Sequence, residues 1–562
     1  MRITSLEIEN FRCFGTRTRV DFAPITLLFG ANSVGKSSIL GALDLLRVLM
    51  SEVSPTITED RCVGTFADLG GFHSMVHDHN GDRTIKLRLS VDLSGATTEQ
   101  DIDDEDAPLV TEESRDPLEA VDDALEEVWV ECALTWSHVR GRAWVSSFSV
   151  GTVGEPESLV EIQSPGDRRH PSQLSVWLQH PLLNPELDED GLTELERALE
   201  EAAFNDHRRF ETDSPTPVLR HALSLYGIGG AVPHRAQPPR LSTGSLSGPL
   251  PPAVHTIRQL LHRTVMGIAD RVREALAEVV RIGPLRVVPP RNHQPRRHTT
   301  AADWFDGLAA WDELHSNSAS LCSDVSRWME SIGTGYWLDR RRRTSYSFPL
   351  PATIWMAEIV VDKVRTVVDF ENEDQMQNGE VSVTVDVDPL SAKHSYCEIR
   401  ELDETTESTQ VVLHPVGRRF ALHPMEVGVG VSQVLPIVTA AMHFSRSRSA
   451  FVAMEQPELH VHPRIQLGLG DLLIDAVTRE DAANCTFLVE THSEHLMLRL
   501  LRRIREASDD ESARLRPSTV AVWTLHRTEG GVTAKRVGID AEGEFTESWP
   551  EGFFRERGEE LF

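Results

Sequence analysis

Six cysteines in 562 residues, none in a CxxC pair, leave no zinc ribbon and no disulfide framework to read. Cys13, Cys62, Cys132, Cys322, Cys397 and Cys485 are scattered, as buried thiols in a reducing cytosol are. Positive charge is also scarce. Against 87 Asp and Glu stand 56 Lys and Arg, giving a formal charge of -31 at pH 7, which excludes a generally basic coat for nucleic acid but not a local basic groove. No stretch stays apolar long enough to span a bilayer, and the start, Met1 to Ile8, alternates like a strand and carries no signal-peptide core. A soluble, cytoplasmic protein with no membrane partner is expected, and its length calls for two or three structural units.

What is present starts with Gly30-Ala31-Asn32-Ser33-Val34-Gly35-Lys36-Ser37, a P-loop directly after the apolar run Ile25 to Phe29. A strand that ends in a glycine-rich turn and opens a helix aims backbone N–H groups and the helix N-terminus at one place, where phosphate oxygens are held. Lys36 reaches the β- and γ-phosphates and Ser37 offers its hydroxyl to magnesium, with Ser38 beside them in the nucleotide-binding set. Ile39, Leu43 and Leu46 then recur at helical spacing.

A P-loop needs an acid at the end of a neighbouring strand to hold the metal. Phe451-Val452-Ala453-Met454 is an apolar run that ends in Glu455 and then Gln456-Pro457-Glu458, the pattern of a buried parallel strand delivering a carboxylate to the sheet edge where open α/β folds bind ligands. A second such strand, Thr486 to Val489, leads into Glu490-Thr491-His492-Ser493 and places His492 at the same edge, within hydrogen-bonding reach of a γ-phosphate or the attacking water. Gly428-Val429-Gly430-Val431-Ser432-Gln433 precedes a helical run from Val434 to Met442. Two glycines before a serine cap make a phosphate-binding helix start, and two subunits sandwiching two nucleotides is the simplest way to use both glycine loops.

Elsewhere, strands are expected over Arg2 to Glu9, Val20 to Phe29, Thr84 to Leu93, Val128 to Trp136, Arg142 to Val150, Val520 to Leu525 and Ala534 to Ile539. The acidic stretch Glu99 to Glu127 reads as a solvated loop or linker, with a partner-docking tail as the sharper alternative. Gly229 to Pro252 reads as a flexible connection, and Ile257 to Val279 as one long amphipathic helix. Arg286, Arg291, Arg296, Arg297 and Arg340 to Arg343 give the middle of the chain local positive charge, either for phosphate backbones or for acidic neighbours. Arg499, Arg502, Arg503 and Arg505 form a basic face on one helix, and Glu458-x-His460-x-His462 is better read as a shaped turn than as a metal site.

These motifs resemble the ABC-type ATPase heads of the SMC, RecF and OLD group. Ile8-Glu9-Asn10-Phe11-Arg12-Cys13-Phe14 is similar to their first strand and turn, Glu455 to Pro463 to their Walker B with its tail, and Glu490 to His495 to their switch-histidine segment. Gly283-Pro284-Leu285-Arg286, Gly428 to Pro436 and Trp549 to Phe554 resemble a narrower set of bacterial ATPases with a C-terminal domain of unknown function, often associated with phage defence. The resemblance implies an α/β P-loop head assembled from residues 1–95 and 406–562, with an α+β and helical insertion over 96–405. It further implies that Lys36, Ser37 and Glu455 bind MgATP, that Arg12 approaches the nucleotide, and that Gly430, Ser432 and Gln433 make the signature contact in trans. His492 becomes the switch histidine.

The residue after the Walker B acid is a catalytic glutamate in SMC and RecF heads; here Gln456 stands there, so slow hydrolysis or a substitute base such as Glu458 is expected. No Q-loop glutamine is found between Gly64 and His77. The leading reading is an ATPase switch, a homodimer or higher even oligomer, working with a separate effector protein in antiphage defence. Two other readings are a DNA-repair clamp, with DNA as partner, and an OLD-like nuclease using acids such as Asp540 and Glu542; too little chain follows His492 for the nuclease domain.

Overall fold

The computed structural model describes all residues except 52–55, 95–125, 168, 182, 184–195, 198–207, 212–218, 235–239, 242–251, 292, 317–318, 350–355, 362–363, 370–379, 388–403, 447–449, 480–484, 509–513, 548 and 550–562. By internal contacts the chain forms two compact units. Unit 1 comprises Met1–Arg281, Ser447–Glu455 and Val477–Phe562; unit 2 comprises Ile282–Arg446 and Gln456–Ala476.

Unit 1 holds a six-stranded sheet. Its strands are β1 (Ile25–Gly30), β2 (Val279–Ile282), β3 (Ala450–Glu455), β4 (Cys485–Glu490), β5 (Val520–Thr528) and β6 (Gly531–Val537), in spatial order β2-β3-β4-β1-β5-β6. Every residue of β1, β3 and β4 is buried, which is why these strands read as unbroken apolar runs. β3, β4, β1 and β5 pair in parallel, and β6 returns antiparallel against β5. The register sets Glu455 opposite Glu490 and Glu490 opposite Leu28, so both acids emerge at the edge where β1 runs into the P-loop.

The same unit carries a ten-stranded sheet whose described pairs are antiparallel. It includes Arg2–Glu9, Ile85–Asp92, Glu127–Ser137 and Arg142–Thr152, close to the expected segments. The expected strand from Val20 to Phe29 is two strands in two sheets: Thr18–Asp21 pairs with Arg2–Glu9, and β1 belongs to the six-stranded sheet. Pro24 has no N–H to give a ladder, and the Ala23 N–H donates to Thr26 Oγ1 at 2.9 Å, so the chain turns there. The long helix is also corrected. It runs Pro252–Leu261, passes through a π-turn at His262–Gly267 and ends at Ala277; Val279 opens β2.

Unit 2 packs helices Leu308–Ser316, Ala319–Ser331 and Val429–Phe444 with a three-stranded sheet that includes Tyr336–Pro349 and Glu404–Pro415. The helix expected over Val434 to Met442 begins earlier, with Gly428 as its N-cap, so Ser432 lies inside its first turn and is not the cap. Most of the acidic stretch, most of the Gly229 to Pro252 connection, Cys397 and most of the Trp549 to Phe554 segment lie outside the described residues. The five described cysteines are free thiols, and burial pushes Cys132 and Cys485 up to about 12.

Candidate functional site

The P-loop backbone explains its glycines. Gly30 has φ +152° and Gly35 φ +119°, and a Cβ at Gly35 would fall 2.2 Å from Cys13 Sγ. Ser33 takes the left-handed region at φ 60°, while Ala31, Asn32 and Ser33 are exposed and Val34 turns inward. Helix α1 (Lys36–Met50) starts at Gly35 with no side-chain cap and no acid in its first turn, an end suited to an anion, and the Ser38 N–H donates to the Gly35 carbonyl at 3.0 Å. Lys36 is buried, and its Nζ donates to the carbonyls of Gly30 at 3.0 Å and Ala31 at 3.2 Å. Ser38 is buried beneath the loop, 3.7 Å from Cys13 Sγ.

Beside this loop stand two buried carboxylates. Ser37 Oγ donates to Glu490 Oε2 at 2.9 Å, and Glu455 Oε1 accepts from Arg281 Nε at 2.7 Å. Arg281 reaches across from β2, so a cation sits on one acid and the P-loop hydroxyl on the other. The Glu490 carboxyl is held above the ordinary carboxylate range, chiefly by burial and further by the Glu455 charge, against the Ser37 hydrogen bond and the charges of Lys36 and Arg281. His492 is held below the ordinary imidazole range by burial and then by Lys36, which keeps the ring neutral at neutral pH. Arg12 lies against α1, where its Nη1 is 3.0 Å from a Cβ built on Gly41; it also donates to the Leu69 carbonyl at 3.5 Å. Lys36, Ser37, Glu455, His492 and Arg12 all belong to unit 1.

The remaining expected residues belong to unit 2. Ser432 is buried, and its Oγ donates to the Val429 carbonyl one turn back, at 3.0 Å. Gln433 is clamped on the Arg286 backbone: Oε1 accepts from its N–H at 3.0 Å and Nε2 donates to its carbonyl at 2.6 Å. Gly430 lies so close to His460 that a Cβ there would be 2.6 Å from the carbonyl oxygen. Arg286 also donates through Nη2 to the Gln456 carbonyl at 3.2 Å, and Gln456 takes the left-handed region at φ 41°. Glu458 starts a tight turn, its carbonyl accepting from Val461 N–H at 3.1 Å. Among the described residues no group of three or more His, Cys, Asp and Glu is placed to hold a metal.

The arginines are largely engaged. Arg291 pairs with Glu426, Arg296 with Asp303, Arg502 and Arg503 with Glu506, and Arg505 with Glu544. Two site residues were missed in the sequence. Arg281 is a charge inside the run Val279-Val280-Arg281-Ile282, and Glu490 ends a buried strand as Glu455 does; either anomaly is a readable signal.

Two family models match, "AAA ATPase domain" over residues 1–100 and "AAA domain, putative AbiEii toxin, Type IV TA system" over residues 335–498. Both matched segments are thus similar to AAA-type ATPase domains. No curated protein matches the chain. Solved structures similar to it include an Smc head bound to the C-winged helix domain of ScpA, at 9% identity and TM-score 0.36 over 96% of this chain and 98% of that one. The SMC head domain from Thermotoga maritima is similar at 10% identity and TM-score 0.35, over 96% of this chain and 100% of that one. An Smc head with an extended coiled coil, bound to the C-terminal domain of ScpA derived from Pyrococcus furiosus, is similar at 10% identity and TM-score 0.35, over 96% of each chain. The expected α/β fold is seen in the described sheet, and the matched segments support the expected nucleotide-binding character. Among the described residues, no helix is long and apolar enough to cross a membrane.

Proposed function

We propose that the protein is an ATP-driven dimeric switch whose head, drawn from residues 1–95 and 406–562 and completed by the strand Val279–Ile282, reports its nucleotide state through the rest of the region 96–405 to a separate effector, in antiphage defence. The convergence of Lys36, Ser37, Glu455 and Glu490 on one sheet edge, with Ser37 and Glu490 453 positions apart, carries this reading. Lys36 leaves its two loop carbonyls for the β- and γ-phosphates, and the first-turn N–H groups of α1 hold the phosphate oxygens. Ser37 and Glu455 fit magnesium by the chemistry of the donor set, a hydroxyl and a carboxylate at one edge. Bound there, the metal neutralises phosphate charge. Neutral His492 offers a hydrogen bond to the γ-phosphate, and Arg12 packs against α1 at Gly41.

In the closed dimer the Gly430, Ser432 and Gln433 turn of each subunit meets the phosphate held by the other. Gln456 orients a water but accepts no proton, so hydrolysis is slow and the closed state is long-lived. The match over residues 335–498 to a family described by an AbiEii toxin supports the defence setting. Light scattering tests the switch: ATP is expected to double the mass of the wild-type protein and leave Lys36→Ala unchanged. A wild-type mass that ignores nucleotide overturns it.

A further inference from the structure

We infer that Glu490 is a second metal-holding carboxylate of the ATPase site, sharing the divalent cation with Ser37 and Glu455. This rests on the magnesium-nucleotide reading above. Three observations converge on it. Parallel pairing puts Glu490 directly opposite Glu455 on the neighbouring strand, so the two carboxylates leave the sheet at the same level. Both are buried, and adjacent strands lie only ~4.8 Å apart, so the pair calls for positive charge. Arg281 supplies it to Glu455 by a direct ion pair, whereas the Glu490 oxygen facing the P-loop receives the uncharged Ser37 hydroxyl.

That hydroxyl is the decisive contact. Ser37 is the P-loop residue whose oxygen a magnesium ion takes, and it already touches Glu490 at 2.9 Å, while Glu455 is engaged with Arg281. A hydroxyl that gives its proton to a carboxylate keeps its lone pairs for a cation on the other side, and magnesium is commonly held by one or two carboxylates plus substrate phosphates. Glu490 thus orients Ser37 and contributes its own oxygen, directly or through a metal-bound water. The arrangement also gives the site two acids although Gln456 follows Glu455: the second comes from the next strand and not from the next residue.

The test is equilibrium binding of ADP carrying a fluorescent ribose label, in magnesium and in EDTA, with Mn²⁺ electron paramagnetic resonance counting the bound ion. Wild type binds tighter in magnesium. Glu490→Gln is expected to lose at least tenfold of that metal-dependent gain and its bound Mn²⁺, while its affinity in EDTA stays within about twofold of wild type. Ser37→Ala and Glu455→Gln serve as references. If both references lose the gain and Glu490→Gln keeps it, the inference on Glu490 is wrong and the magnesium reading stands; if none of the three loses it, that reading fails as well. Should Glu490→Gln bind no nucleotide in either condition, Glu490→Asp decides: restored binding with a magnesium gain supports the role, and binding without the gain, or none, overturns it.

Discussion

Two glycine-rich segments open helices in this protein, and only one is built like a phosphate cradle. In Gly30 to Ser37 the glycines take positive φ, Lys36 is buried with its Nζ on the loop carbonyls, and Ser37 points to a buried acid. In Gly428 to Gln433 the N-cap glycine has an ordinary extended conformation, Ser432 is satisfied by its own helix, and Gln433 is tied to Arg286. The difference teaches that a glycine-rich helix start becomes a site only when side chains from other strands converge on it. The second segment closes on itself.

The strongest way to break the comparison is to remove one key side chain from each. Lys36→Ala should weaken ATP binding by about 100-fold or more, the cost of losing a buried charge on phosphate. Ser432→Ala should leave the affinity of the monomer within about twofold; isothermal titration at low protein concentration reads both. Equal losses would mean that the second segment binds nucleotide within one subunit.

Next come the glycines. Gly35→Ala should cost about 2–5 kcal/mol, since left-handed strain adds to the collision with Cys13. Gly428→Ala, with φ -60° and nothing within 4 Å of the added Cβ, should cost about 1 kcal/mol or less. Urea unfolding of the two variants measures the contrast.

The smallest effect sharpens the account of the acid edge. Glu490 has its folded-state pKa raised above the unfolded value of 4.5, so its charge burdens the folded state once pH exceeds the folded pKa and costs nothing below 4.5. Glu490→Gln should therefore raise the melting temperature of the nucleotide-free protein at pH 7 to 8, with the gain fading as pH falls toward 4.5. A gain that is constant with pH would assign the effect to packing.

How legible the site was in the sequence varied with the range of the interaction. The P-loop, β3 and β4 are written in contiguous patterns, apolar runs that end in glycine or acid, and their placement on one sheet edge follows from parallel pairing. Glu490 and Arg281 stand out in the sequence as charges in apolar strands, but the role of each depends on a neighbour supplied by pairing and not on the residues beside it. The Pro24 turn was hidden for a related reason. Val20, Phe22, Ile25, Leu27, Leu28 and Phe29 are all apolar, and only the assignment of the two halves to different sheets separates them. The serine at 432 looked like a cap because hydroxyl residues favour that position, yet here the cap is a glycine and the hydroxyl bonds back along the helix.

The placement of β1 between β4 and β5 has a consequence for biosynthesis. At ~5–20 residues per second, roughly half a minute or more separates the appearance of the P-loop from that of β4. Until then the P-loop strand has neither of its parallel neighbours, and its apolar edge is open. A ribosome-bound chain can thus carry Lys36 and Ser37 for most of its synthesis without either acid. Nucleotide competence should arrive late and abruptly, and until then the nascent chain depends on whatever shields that edge.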